Sequence, residues 1–217
     1  MDSSDELSAD QRPSKAPNKG GMVLDAGYGY YSSRLRFDDR FEMDITQHTV
    51  SAGATWLTGG SWSFRAGLGA IIAGTLGSGG EQHDFLPGAL VNITANWRAL
   101  TSQVWRPFVD LSTSLAGSWS STELRGEGSN TWVAIDARLG ARAGWLLWQR
   151  FSPYVHARVF GGPALWFGGE DEPATGTDIY HYQIGGGLSL FFDSWGLYAE
   201  ASPLGEQSYF GGASVVF

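Results

Sequence analysis

The chain contains no cysteine, so neither a disulfide nor a cysteine-ligated metal holds it together. No stretch approaches the ~20 consecutive apolar residues of a membrane-spanning helix. Lysine is confined to Lys15 and Lys19, and from Met22 onward every basic side chain is Arg or His. The formal charge of −8 argues against nucleic acid as a partner, because phosphate binding needs clustered Lys and Arg. Met1 is followed by acidic and polar residues, so no secretory signal is visible. Phosphate-binding loops, nucleotide fingerprints and nucleophile elbows are missing as well, and no cofactor or metal is expected.

What the chain has in abundance is glycine, at 31 residues, and aromatic side chains, at 14%. Together they point to crowded, aromatic-rich β structure. Residues 1–21 are polar and read as a disordered tail, native or a leftover of preparation. From Met22 the residues alternate with a period of two. Strands are expected near 22–36, 46–57, 62–76, 85–97, 105–118, 132–146, 154–167, 179–192, 195–202 and 208–217. Short turns follow every second strand, longer connections cover 37–45, 77–84, 119–131 and 168–178, and the last connection, 203–207, is short but lies on the long side. One face of each strand is apolar, as in Leu24, Ala26, Tyr28 and Tyr30 or in Phe64, Ala66, Leu68, Ala70 and Ile72. The other carries Gly, Ser, Thr, Asn and a few charges. Apolar residues at alternate positions facing lipid evade any hydropathy average. The expected fold is all-β, a closed antiparallel up-and-down transmembrane β-barrel of about ten strands over 22–217, with eight as the fallback.

Tryptophan placement supports this. Trp56, Trp62, Trp97, Trp105, Trp145, Trp148 and Trp195 flank the short turns, while Trp119, Trp132 and Trp166 flank the longer connections. Two belts of amphipathic rings are expected at the two headgroup zones. Of the 22 acids, thirteen fall in the connections on the long side, whereas the short turns carry Arg98, Arg106 and Arg150 against Asp193. That asymmetry gives the barrel an acidic outer end.

The last nine residues, Tyr209 to Phe217, resemble the C-terminal β-signal of bacterial outer-membrane β-barrel proteins, a terminal aromatic preceded by apolar residues at alternate positions. Tyr209, Ala213, Val215 and Phe217 match the pattern, with Gly211 a neutral gap. The resemblance to this superfamily of small barrels of eight to ten strands implies an outer-membrane location and a signal peptide already removed. Its implied partners are membrane lipid and lipopolysaccharide, the barrel-insertion machinery and other envelope proteins. Arg34 and Arg36 continue the lipid-facing register at the outer end of the first strand, where they are candidate lipopolysaccharide contacts.

Parity places Asp25, Asp110, Asp136 and Glu200 inside, against Arg65, Arg138, Arg142 and Arg158. These read either as a plug of Arg–carboxylate pairs or as the constriction of a narrow pore. His83-Asp84, and Asp178 with His181, offer rim groups for an omptin-like hydrolase, although no omptin motif matches residue by residue. Glu170-Asp171-Glu172 reads as a solvated acidic loop without the spacing of a calcium site. The expectation is a non-enzymatic anchor or scaffold, with a narrow channel second and the hydrolase third.

Overall fold

The computed structural model describes residues 20–38, 41–78, 81–103, 105–124, 129–167 and 173–217. Among these there is no helix, and one antiparallel sheet contains thirteen strands. They are β1 (Gly21–Phe37), β2 (Phe41–Leu57), β3 (Trp62–Ser78), β4 (Glu81–Phe85), β5 (Gly88–Leu100), β6 (Phe108–Leu124) and β7 (Ser129–Gly144). The remainder are β8 (Phe151–Gly161), β9 (Ala164–Phe167), β10 (Ala174–Asp178), β11 (Tyr182–Phe191), β12 (Trp195–Gly205) and β13 (Gln207–Val216). Most of the expected tail, residues 1–19, lies outside the described residues.

Thirteen replaces the expected count of about ten because the expected strand 154–167 is broken, and because β4 and β10 form where the connections 77–84 and 168–178 are expected. Leu86–Pro87 divides β4 from β5, and Gly162–Pro163 divides β8 from β9, where proline cannot donate to the ladder. Ile179–His181 divides β10 from β11, with His181 at a φ of 53°. The split pieces share neighbours: β3 and β6 each pair with both β4 and β5, and β7 pairs with both β8 and β9.

The pairings return to their start. At the end holding Gly21 and Phe217 they run β1–β2–β3–β5–β6–β7–β8–β11–β12–β13 and back to β1. At the far end they run β1–β2–β3–β4–β6–β7–β9–β10 and back to β1. The ring therefore narrows from ten strands to eight. The cause is the β12–β13 hairpin, which turns back at Glu206 while the other strands continue. Gly205 has a φ of 79°, a left-handed conformation that a side chain resists, and a Cβ there would meet the Tyr182 carbonyl at 2.0 Å. Above that turn β10 lies directly beside β1, Leu35 opposite Asp178.

Much of what reads as long connection is strand. The β1–β2 ladder continues to Phe37 opposite Phe41, and β6–β7 continues to Glu123 opposite Ser129. Charges that suggest loop, such as Glu42, Asp44 and Glu123, lie on strands beyond the apolar zone.

Polarity reverses along the long strands, and on β1 it does so with side-chain parity unbroken. On β1 the outward residues run Leu24, Ala26 and Tyr28, then Arg34 and Arg36. Its inward residues run Asp25, Gly27 and Gly29, then Leu35 and Phe37. Toward the terminal end the sheet is greasy outside and polar inside, and at the far end the reverse. A buried far-end cluster joins Leu35, Phe37, Met43, Ile45, Ile71, Leu76, Phe85, Trp132 and Ala164. Phe85 meets Trp132 edge-on at 5.6 Å between ring centres. A register shift opposite His48 and Thr49 turns both Ile71 and Leu76 inward, although they are five positions apart.

Candidate functional site

The enclosed face carries linked charges from the terminal end to the base of the apolar cluster. Arg65, on β3, donates to Asp25 on β1 at 2.7 and 3.1 Å and to the Asn92 side chain on β5 at 2.7 Å. Its guanidinium lies flat against the wall, and a Cβ at Gly53 or Gly67 would meet it at 2.5 or 2.8 Å. Nearer the terminal end, Asp110 accepts from Arg98 and from Arg142, each at 2.7 Å. Both guanidiniums stand over the Phe108 ring, at 5.2 and 5.6 Å from its centre.

On the opposite wall Glu200 accepts from Arg158 at 2.7 Å and from the Tyr154 hydroxyl at 3.0 Å. His156 Nε2 and Ser202 Oγ lie 2.8 Å apart beside it. Higher up, Arg138 bonds Asp136 and, at 2.9 Å, Glu206. The Gln183 amide donates to Glu206 at 3.1 Å and to Ser208 at 2.8 Å. Burial raises the Glu206 carboxyl above its ordinary range, the Arg138 charge opposes that, and Asp178 and Asp136 add to it. Asp178 accepts from Ser33 and from the Tyr180 N–H.

All eight charges assigned inward by parity thus take part in these pairs: Asp25, Arg65, Asp110, Asp136, Arg138, Arg142, Arg158 and Glu200. Arg98, Asp178 and Glu206 join them unexpectedly. Arg98 reads as part of a turn, but β5 continues to Leu100 and sets Arg98 opposite Asp110. Asp178 and Glu206 read as solvent-facing acids, yet they are 6% and 2% exposed. The short β12–β13 hairpin carries Glu206 into the interior, a consequence of unequal strand lengths. The signal available beforehand was parity: Glu206 is in step with Glu200 and Ser202.

Eight tryptophans, Trp56, Trp62, Trp97, Trp105, Trp119, Trp145, Trp148 and Trp195, are exposed. The assignment of the other two to an outer belt is corrected. Trp132 is 2% exposed within the apolar cluster, and Trp166 packs against that cluster while its indole donates to Thr122 at 3.0 Å. Both have inward parity, and β7 begins three residues before Trp132. Tyr209, Ala213, Val215 and Phe217 all face outward on the last strand. Arg34 and Arg36 are half-exposed and paired across the hairpin with Asp44, at 2.7 Å, and Glu42, at 2.8 Å.

The rim groups do not assemble. His83 is buried edge-on to Trp166 at 4.9 Å between ring centres, and Asp84 is exposed. Among the described residues no hydrogen bond or ion pair joins His83 or His181 to a carboxylate. Glu170-Asp171-Glu172 lies outside the described residues.

Among the described residues, hollows open into the interior at two heights. One of about 570 Å³ opens at the terminal end beside Arg98, Asp110 and Arg142. The other, of about 480 Å³, lies where polar interior meets apolar cluster, between Arg138, Glu206 and Gln47 on one side and Ile45, Leu90 and Trp132 on the other.

An antiparallel sheet that returns on itself, apolar outside and charged within, defines a class: the chain has the fold of the bacterial outer-membrane β-barrel superfamily. No protein-family description matches the sequence, and no curated protein does. Among solved structures, the translocator domain of the autotransporter NalP from Neisseria meningitidis is similar over 91% of this chain and 88% of its own, with 13% identity and a TM-score of 0.54. The outer membrane protease OmpT from Escherichia coli is similar over 91% of this chain and 96% of its own, with 8% identity and a TM-score of 0.51. At these identities the likeness is one of fold.

Proposed function

We propose that the chain is an integral outer-membrane β-barrel, ten strands round within the bilayer and eight above it, acting as a non-enzymatic anchor or scaffold. The observation that carries this is the apolar cluster around Phe37, Ile71, Leu76 and Trp132, which is buried at the far end of the interior. Below it every Arg of the enclosed network already has a carboxylate partner, as a plug requires.

Membrane embedding rests on the outward belt. Leu68, Ile93, Leu139, Val155 and Val159 are each more than half exposed and stand on β3, β5, β7 and β8, and Leu204 on β12 is equally exposed. Soluble monomers rarely expose contiguous apolar patches beyond a few hundred Å². Lipid and lipopolysaccharide would cover this belt, and the barrel-insertion machinery would meet the outward side chains of the last strand. The anchor would present hairpins carrying Glu42, Asp44, Glu81 and Glu123 to other envelope proteins. OmpT is a protease of similar fold, but the separated histidines here favour no hydrolase.

Reconstitution in planar bilayers tests the reading. The expected trace is silent at all applied voltages. Discrete conductance steps from the purified chain would replace the anchor with a narrow channel.

A further inference from the structure

The hollow of about 570 Å³ at the terminal end has a property that the anchor reading does not use. Its charges do not balance. Arg98, Arg142 and Arg158 line it together with a single carboxylate, Asp110. Glu200 answers Arg158 at 2.7 Å. Arg98 and Arg142 share Asp110, so one positive charge is left over. The Asp110 side chain is 8% exposed, whereas those of Arg98 and Arg142 are 46% and 41% exposed, so solvent reaches both arginines. Asp110 takes Nε and Nη2 of Arg98 and Nη2 of Arg142. Among the described residues no hydrogen bond uses Nη1 of Arg98, or Nε and Nη1 of Arg142. Asp110 and the Phe108 ring hold both guanidiniums in place, and Tyr154 lies 5.0 Å from that of Arg142. The rest of the wall offers hydroxyl and amide groups from Thr55, Ser63, Asn96 and Ser112.

We propose that this hollow binds a small, hydroxylated carboxylate, with its acid group on Arg98 and Arg142. One negative charge answers the one positive charge left over. A planar carboxylate fits the flat fork of a guanidinium, and such charge-assisted bonds are the stronger kind. The hydroxyl and amide groups of the wall suit a ligand rich in hydroxyls. The volume falls within the ~300–1,000 Å³ of small-molecule sites. The charge of the molecule favours this end as well. Exposed Arg106 and Arg150 stand here against Asp193, while Glu42, Asp44, Glu81 and Glu123 gather at the far end. Such a field draws a small anion toward the terminal end.

The test is titration of the full chain, ¹⁵N-labelled and held in nanodiscs of uncharged lipid, with sodium gluconate at low salt, followed at the backbone amide signals. Those of Asn96, Arg98, Ser112 and Arg142 should shift saturably, while those of Leu35 and Ile45 in the far-end cluster stay in place. Sorbitol, a similar hydroxylated chain without the acid group, should move none of them. Arg98→Gln leaves Asp110 and Arg142 matched one to one, and should weaken binding about tenfold or more, the worth of a charge-assisted hydrogen bond. Asp110→Asn frees both arginines and should tighten it. Unchanged far-end signals show that each variant is folded. The absence of a saturable shift would overturn the proposal, and so would equal shifts with sorbitol. Equal shifts with sodium chloride would do the same, because they mark a diffuse counter-ion atmosphere. Undiminished binding by folded Arg98→Gln would also sink it. Binding at one mouth is independent of passage through the barrel, so planar-bilayer conductance tests the anchor separately.

Discussion

Arg65 is held by two partners and by two residues that are small. Asp25 and Asn92 take its N–H groups, while Gly53 and Gly67 leave the space into which its guanidinium lies. It is 22% exposed and Asp25 12%, so removal of either leaves the other short of water. Arg65→Ala should lower stability by roughly 3 kcal/mol, and the double change with Asp25→Asn should recover part of that loss. Urea unfolding in lipid vesicles, followed by tryptophan fluorescence, measures both. Arg34→Ala removes an ion pair of similar length whose members are 48% and 65% exposed, and should leave the unfolding midpoint almost unchanged. Period-two parity made the inward charges legible in the sequence. It could not show which acid meets which arginine, since partners such as Asp25 and Arg65 are 40 positions apart and meet only through register.

Within a strand, what changes along its length is the surroundings. Leu68 on β3 is 69% exposed and belongs to the outward belt. Leu68→Arg should cost ~2–4 kcal/mol if hydrocarbon covers that face, and next to nothing if water does. Unfolding in vesicles distinguishes the two, and an unchanged midpoint would sink the membrane reading. Further along, the same face carries Arg34, Arg36, Glu42 and Asp44, as it would on a soluble sheet. Alternation shows that two faces differ, but not which faces water at a given height. Trp132 illustrates the gap: its place near a strand end suggests a headgroup belt, whereas the continuing strand makes it core.

The whole molecule has two storeys held by different forces. The ten-strand storey depends on its apolar belt and on the charge network within. The eight-strand storey depends on an apolar cluster of its own. Phe37 is fully buried there, stacked on Phe41 at 5.4 Å and close to Trp132 and Trp166. Phe37→Ala should remove about 3–5 kcal/mol from that storey. Hydrogen exchange should then speed up in β4, β9 and β10 while β5, β12 and β13 stay protected, because local stability follows local contacts. Uniform acceleration in all strands would mean that the storeys unfold as one.

The amino-acid sequence alone determines the all-β character, the two-faced strands, most of the charges that point inward and the outward aromatic ending of the chain. These are local properties, set by period-two alternation and by residue type. Only the tertiary structure decides that thirteen strands make rings of ten and eight, that Glu206 and Asp178 turn inward, and that a core is buried at the far end. Those outcomes depend on where one hairpin stops relative to its neighbours, a comparison of lengths across strands that no single stretch of chain contains.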